Sequence, residues 1–233
     1  GLISFMDEQV GLIMDALADA GLTDDTRVLY TTDHGDNMGT RGAWGKSLMY
    51  EEAAAVPLIV SGPDVPKGQV VKTPVTLCDV FPFVMNCVGA GDDATMTDDL
   101  PGTDLLDLAA GAEPDRVAFS EYHGMGSKIA AFMVRKGDWK LVHYEGYPDQ
   151  LFNLADDPEE LTDLAADPAH AAKLDELTGE LAAICDAAAV DKAARSRQAE
   201  MVEENGGREA IKERKEGAAI EHPWPGLLAS AQF

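Results

Sequence analysis

The sequence is poor in cysteine. Its 233 residues include three, Cys78, Cys87 and Cys185. No two of them form a Cys-x-x-Cys pair and their number is odd, so the sequence favours neither a disulfide framework nor a zinc site. We interpret each cysteine as a small residue of an apolar core, because its sequence neighbours are apolar.

Basic residues and long apolar runs are also scarce. Lysine and arginine number 18 against 42 aspartates and glutamates, for a net charge of −24. Such a surface repels nucleic acid and anionic membranes, so we expect neither as a partner. The acidity has two interpretations. A functional one is attraction of cations or adaptation to a salty medium, and the other is a solvated surface that keeps the protein soluble. No apolar run approaches 18 residues, which excludes a membrane-spanning helix.

The first half of the chain predicts an α/β layer. Apolar residues from Leu2 to Leu17 recur every three or four positions, which indicates an amphipathic helix. The segments Thr26–Thr32 and Val56–Val60 are predicted buried strands, and Thr76–Val88 is a predicted helix with Pro82 near its first turn. Because helices and strands alternate here, we expect a mainly parallel sheet flanked by helices.

A second pattern begins after residue 112. Four short strand candidates follow one another at turn spacing, and we expect them to form a small antiparallel sheet; they are Arg116–Tyr122, Ala130–Arg135, Lys140–Tyr144 and Gln150–Asn153. A helix is predicted near Ala169–Ala188. The predicted domains are therefore 1–112, 113–190 and an extended tail at 191–233, whose Trp224 and prolines make it a candidate arm for homo-oligomerisation.

The residues with the clearest chemical character follow the first predicted strand. Asp33-His34-Gly35-Asp36 stands at its end, and functional groups in α/β sheets collect at the carboxyl ends of strands. A carboxylate beside an imidazole serves as a metal-binding pair or as a general acid–base pair. The alternative is a helix-capping aspartate beside a surface histidine. Lys46 follows in a glycine-rich loop.

The run from Asp33 to Pro63, DHGDNMGTRGAWGKSLMYEEAAAVPLIVSGP, resembles the second signature region of type I sulfatases in the alkaline-phosphatase-like superfamily. CDVFPFVMNCVGA and FMVRKGDWKLVHYEGYPDQLFNLADDPEE are similar to later segments of the same family. The resemblance covers residues 1–170 and implies the C-terminal part of the fold. It also implies hydrolysis of an organic sulfate monoester, so a small sulfate ester is the expected ligand.

The resemblance further implies a divalent cation held by Asp33 and His34. Carboxylate oxygens suit calcium, while imidazole is a less typical calcium ligand, so magnesium and manganese stay open. Lys46 matches the family lysine that contacts a sulfate oxygen and stabilises developing charge. Arg41 is a second candidate for sulfate binding, or a partner for a carboxylate. His123 is a candidate catalytic residue at a strand end, or a hydrogen-bonded structural histidine.

The family nucleophile is a formylglycine made from a Cys/Ser-x-Pro-x-Arg motif. None of the three cysteines here has a proline two residues later. The chain starts at Gly1 inside a helical pattern, so we expect a fragment whose nucleophile precedes it and which is inactive alone. The alternatives are a phosphonate monoester hydrolase or phosphodiesterase of the same superfamily, and a non-catalytic member that only binds. The compartment is left open, with the cytoplasm as the expectation.

Overall fold

The computed structural model describes residues 1–91, 100–124, 127 and 129–217, and forms two compact units. The first is Gly1–Cys185 and the second begins at Asp186. None of the helices in these ranges has the length and apolar character that crossing a bilayer requires. The domain boundary expected near residue 112 stays a prediction. Trp224 and the rest of residues 218–233, the proposed oligomerisation arm, lie outside the described residues.

The amino-terminal half of the first unit contains helices α1 to α4 and strands β1 to β4. In chain order these elements are α1 Leu2–Asp19, β1 Val28–Thr31, β2 Asn37–Met38, β3 Trp44–Gly45, α2 Glu51–Ala54, β4 Leu58–Ser61, α3 Val80–Cys87 and α4 Leu105–Ala109. The predicted amphipathic helix and both predicted strands are therefore present. Pro82 is the third residue of α3, where its missing N–H costs no helical hydrogen bond.

The parallel arrangement expected for the first two strands is wrong. β1 and β4 pair antiparallel, with Val28 opposite Ser61 and Thr31 opposite Leu58. Parallel neighbours need a crossover of a dozen or more residues, usually a helix. The chain between β1 and β4 instead forms a loop with the four-residue helix α2, and it returns in the opposite direction. Every strand pairing in the described ranges is antiparallel.

The predicted small antiparallel sheet is confirmed. Its strands are β5 Val117–Tyr122, β6 Ala131–Lys136, β7 Trp139–Tyr144 and β8 Gln150–Asn153, paired in sequence order. Helix α5, Ala171–Ile184, packs on β6 and β7 and inserts Leu177 and Leu181. These elements supply most of the fully buried apolar side chains, which include Phe132, Val134, Leu141, Val142, Leu151 and Phe152.

The second unit is helical where the structure describes it. It contains α6, Ala187–Glu204, and α7, Gly207–Gly217. The tail predicted from residue 191 is therefore helical in its described part. Alanines favour a helix, and ion pairs at helical spacing support it: Asp191 with Arg195, and Glu209 with Lys212.

Candidate functional site

The turn after β1 fixes Asp33 and His34 through the backbone of Gly35. The Gly35 N–H donates to the carbonyl of Ala53 in α2 at 2.9 Å. A Cβ on Gly35 would lie 2.0 Å from the Glu52 carbonyl oxygen. Only glycine permits this close approach of two backbone segments. The position of Asp33 and His34 therefore depends on the position of α2.

A short hairpin then brings Lys46 back to the end of β1. β2 and β3 pair Asn37 with Gly45 and Met38 with Trp44. The buried Asn37 side chain donates to the Gly45 carbonyl at 2.7 Å. This hairpin folds the glycine-rich loop back on itself, so a lysine twelve positions after His34 returns to its side.

The three predicted residues converge. The Lys46 ammonium lies 2.5 Å from Nε2 of His34, and one carboxylate oxygen of Asp33 lies 3.3 Å from the same nitrogen. Asp33 is largely exposed and His34 partly so, with side-chain exposures of 81% and 36%. The cluster therefore forms an open, polar surface at which a small ion can reach all three groups.

The partners of His34 indicate its tautomer. Nδ1 lies 2.8 Å from the carbonyl oxygen of Gly35, which can only accept, so Nδ1 carries the proton. Nε2 then presents a lone pair, which accepts a hydrogen bond from the Lys46 ammonium. A neutral imidazole in this tautomer has the lone pair that a metal ion would use.

The pKa of Asp33 is lowered below its usual value. Loss of hydration raises the pKa, but two opposing effects are together larger: the electrostatic attraction of the neighbouring His34, and hydrogen bonds from the backbone and from Thr32. The hydroxyl of Thr32 donates to the other carboxylate oxygen at 3.3 Å. Asp33 is therefore ionised at neutral pH and available as an oxygen ligand.

Asp33 and His34 fit a cation site in part. Ligand atoms 3.3 Å apart can both lie at bonding distance from one ion as adjacent ligands. Across the part of the chain that the structure describes, no group of three or more His, Cys, Asp or Glu side chains surrounds a common point. Two ligands do not complete the shell of six to eight oxygens that calcium prefers. Further ligands or waters are needed.

Arg41 contacts a carboxylate, which was the alternative to its sulfate-binding role. Its guanidinium donates to Glu52 and, at 2.5 Å, to the Glu159 carbonyl, and it stacks 3.8 Å above the Tyr50 ring. Burial raises the pKa of Glu52, but a backbone hydrogen bond and Arg41 lower it more, so the net pKa falls. Arg41 thus anchors the hairpin, and its predicted contact with sulfate stays a prediction.

His123 lies just after β5, as predicted, and contacts residues of the small sheet. Its contacts include Glu121, 3.2 Å from Nε2, and the ring of Phe132, packed edge-on at a centroid distance of 5.5 Å. The hydrogen-bonded structural alternative therefore describes these contacts, while its catalytic role remains a prediction. A neighbouring residue reaches the site loop instead, because the hydroxyl of Tyr122 donates to Ser47 at 3.0 Å.

A buried ion-pair network was not predicted from the sequence. The fully buried ammonium of Lys140 lies 2.9 Å from Glu51 and 2.8 Å from Glu160. Glu160 is itself buried, and Glu51 also pairs with Arg135 at 3.3 Å. The available signal was a lysine inside an apolar strand, Trp139-Lys140-Leu141-Val142, since a buried lysine needs an acidic partner. Nothing in the sequence names Glu51 and Glu160 as those partners.

Comparison with known proteins relates the sequence of this chain to sulfatases. Residues 1–90 match the family described as Sulfatase. The chain is 37% identical over 168 residues to a choline-sulfatase of Rhizobium meliloti (strain 1021), covering 71% of this chain and 32% of that protein. It is 37% identical over 169 residues to arylsulfatase K of Danio rerio, covering 69% and 32%.

A solved structure of an enzyme that is not a sulfatase also matches this fold. The phosphonate monoester hydrolase of Agrobacterium radiobacter superposes with a TM-score of 0.63 at 29% identity, over 78% of this chain and 39% of that one. The present chain thus spans about a third of the length of the relatives that it matches.

Proposed function

Because this chain belongs to the sulfatase family and has part of its alkaline-phosphatase-like fold, we propose that Asp33, His34 and Lys46 contribute to hydrolysis of an organic sulfate monoester. The observation that carries the proposal is the convergence of the Lys46 ammonium on His34 beside Asp33. The chain spans about a third of its relatives, so the complete activity belongs to a protein in which further parts accompany it.

Lys46 binds the sulfate group in this proposal. An ammonium on a flexible stem can contact a tetrahedral anion through several N–H donors. In the structure these donors face the neutral Nε2 of His34, a partner that an anion can replace without leaving a buried charge unpaired. Lys46 then stabilises negative charge as it grows on the sulfuryl oxygens and on the leaving oxygen.

Asp33 and His34 hold a divalent ion in this proposal. The ionised carboxylate favours a hard cation and we propose calcium, with magnesium and manganese as alternatives because one ligand is an imidazole. When bound, the ion supplies positive charge that draws electron density from the sulfate oxygens. His34 keeps its proton on Nδ1 against the Gly35 carbonyl, so Nε2 stays free to act as a ligand once Lys46 turns to the anion.

The nucleophile is proposed to be a formylglycine supplied outside this sequence, since none of the three cysteines has a proline two residues later. We therefore expect the purified chain to release no sulfate from 4-nitrophenyl sulfate, with or without calcium. Metal-dependent turnover by the chain alone would contradict that expectation.

The principal test is sulfate binding by the purified chain, measured by isothermal titration calorimetry with sodium sulfate and calcium present. Replacing Lys46 by methionine removes a charge-assisted contact, so we expect the dissociation constant to rise about tenfold or more. Lys212→Met, at an exposed lysine of the second unit, is the control for net charge. Equal losses in the two variants would reduce sulfate binding to a general charge effect and refute the proposed site.

A second candidate function is hydrolysis of phosphonate monoesters, supported by the structural match to a phosphonate monoester hydrolase. The two functions differ in the anion that the site prefers. We expect phenyl sulfate to bind more tightly than the monophenyl ester of phenylphosphonic acid. The reverse order would favour the phosphonate hydrolase, and no binding of either would favour a non-catalytic relative.

The remaining proposals concern partners and location. We keep the small sulfate ester as ligand, from the family resemblance, and the absence of nucleic acid and membrane partners, from the acidic composition. A cytoplasmic location is also kept as a proposal. The tail at 191–233 is proposed to support homo-oligomers. Light scattering before and after truncation at residue 190 tests this. An unchanged number of subunits would contradict homo-oligomerisation through the tail.

A further inference from the structure

Glu160 has a backbone conformation that its residue type does not favour. Its φ is +51°, in the left-handed region that glycine and asparagine occupy most readily. It lies in the turn Asp157-Pro158-Glu159-Glu160 after β8, and only 2% of its surface is exposed. A buried glutamate in a strained conformation indicates that its carboxylate has a task which glycine could not perform.

The carboxylate of Glu160 joins two parts of the first unit. One oxygen accepts a hydrogen bond from the backbone N–H of Glu51, the first residue of α2, at 2.6 Å. The other lies 2.8 Å from the Lys140 ammonium on β7. Lys140 also pairs with the Glu51 side chain, and Arg135 on β6 balances the second negative charge. The small sheet therefore holds the start of α2 through a charge-balanced cluster whose centre, Lys140 and Glu160, is fully buried.

Helix α2 connects this cluster to the candidate site. Its residue Ala53 accepts the hydrogen bond from Gly35, and the Glu52 carbonyl occupies the space beside the Gly35 Cα. Gly35 directly follows Asp33 and His34. Two hydrogen bonds, from the Glu51 N–H to the Glu160 carboxylate and from the Gly35 N–H to the Ala53 carbonyl, thus connect a buried carboxylate to the pair proposed to hold the cation.

The same turn also contacts the hairpin that precedes Lys46. The Glu159 carbonyl accepts a hydrogen bond from Arg41, which stands in the hairpin between β2 and β3. That hairpin brings Lys46 to His34. The turn at Glu159 and Glu160 therefore contacts both segments whose relative position defines the cluster.

We propose that Glu160, with Lys140 as its buried counter-ion, is a positioning residue that sets the distance between the Asp33–His34 pair and Lys46. The identity of the anion in this inference rests on the proposed function. The connection from Glu160 through α2 to Gly35 does not. It assigns a role to the Asp-Pro-Glu-Glu turn, which lies far from the site in sequence and contributes no group to the chemistry.

The test uses two substitutions of Glu160 in the full chain. Glu160→Gln keeps the size and removes the charge, while Glu160→Gly removes the carboxylate and relieves the strained φ. The first readout is hydrogen exchange of the Gly35 amide by NMR, referenced to the amides of Leu141 and Val142 in the sheet core. The second is the dissociation constant for inorganic sulfate.

We expect both variants to accelerate Gly35 exchange about tenfold relative to the core amides, and to weaken sulfate binding by about the same factor, as is typical when a supporting partner of a ligand is lost. Asp79→Asn is the matched control, because Asp79 is an equally buried carboxylate that binds Thr76, Thr103 and Arg116 away from the site. The control should lower the melting temperature without changing the relative Gly35 exchange.

Each outcome decides the question. Unchanged Gly35 exchange and sulfate affinity in both Glu160 variants would overturn the positioning role, as would an equal effect of Asp79→Asn. If Glu160→Gln does not fold, Glu160→Gly decides alone, because it removes strain along with the charge. If Lys46→Met leaves sulfate binding unchanged, the proposed function fails, yet Gly35 exchange still reports on the mechanical connection.

Discussion

The two halves of the first unit bury their apolar residues to very different extents. In the half built from β5 to β8 and α5, Phe132, Leu141 and Leu151 are inaccessible to solvent. In the other half, α1 buries no residue at all, and its Leu2 and Ile3 are 88% and 81% exposed. Both halves have apolar sequences of the right period, so the difference lies in what packs against them.

This difference indicates where the stability of the first unit resides. The four-stranded sheet is covered by α5 and forms a continuous core, whereas β1 and β4 form a sheet of only two strands. Two strands with an exposed face are marginal by themselves. The candidate site lies where the halves meet, and Glu160 fastens the less buried half to the stable one.

The largest expected effect is in the sheet core. Phe152→Ala should lower the free energy of unfolding by about 4 kcal/mol, because a fully buried aromatic side chain leaves a cavity. Phe5→Ala, in the exposed α1, is the control and should change it by less than about 0.5 kcal/mol. Urea denaturation measures both, and similar losses would remove the contrast between the halves.

A smaller effect is expected at the ion pair of Arg116 with Asp79. Arg116→Met leaves a fully buried carboxylate without its cation and should cost about 3 kcal/mol. The exposed Arg197, which pairs with Glu200 and Glu204 in the second unit, is the comparison. Its replacement by methionine should cost much less, because solvent screens an exposed ion pair. A small loss at Arg116 would show that burial does not decide the strength of these pairs.

Alkaline pH should weaken the sheet half through Tyr144. Burial, with the nearby Tyr50 and the charge of Glu160, raises the pKa of Tyr144 to about 12 from its ordinary 10. The folded state thus keeps a proton that the unfolded state loses, so this contribution is complete below pH 10 and disappears as the pH rises towards 12. The loss amounts to at most about 2 kcal/mol, reduced by partial exposure.

Tyr144→Phe provides the control for that pH dependence, since it cannot ionise. The difference in unfolding free energy between the two proteins should be constant from pH 7 to 9 and shift in favour of phenylalanine between pH 10 and 12. A constant difference across the whole range would mean that Tyr144 titrates normally.

The smallest effect on stability is expected in α1. Replacing Ile3 and Ile13 together by glutamine should alter the free energy of unfolding by less than about 0.5 kcal/mol, because both side chains are exposed. Binding of a hydrophobic fluorescent dye should fall, since the apolar surface is reduced. A loss of several kcal/mol would show that α1 is packed in solution, and would remove the distinction between the halves.

The sequence predicted local features better than long-range pairings. The four strands of the small sheet were found within a residue or two, because each is bounded by turn residues. The cluster of Asp33, His34 and Lys46 was predicted through a resemblance whose motifs follow one another closely. The direction of β4 against β1 was missed, because strand patterns are the same for parallel and antiparallel neighbours.

The partners of buried charges could not be predicted from the sequence either. Lys140 and Glu51 are far apart in the chain and meet only because the small sheet packs beside α2. Arg41 had two candidate partners, and the hairpin directs it towards Glu52. Such pairings depend on tertiary packing, which no local pattern encodes.

The most direct test of the site is a crystal structure of the chain with sodium selenate, whose selenium gives an anomalous signal in place of sulfate. The account predicts a selenium peak within about 4 Å of the Lys46 ammonium, beside Asp33 and His34. Selenate found only elsewhere, or Lys46 directed away from His34 in the crystal, would contradict the convergence of these three side chains on one site for a cation and an anion.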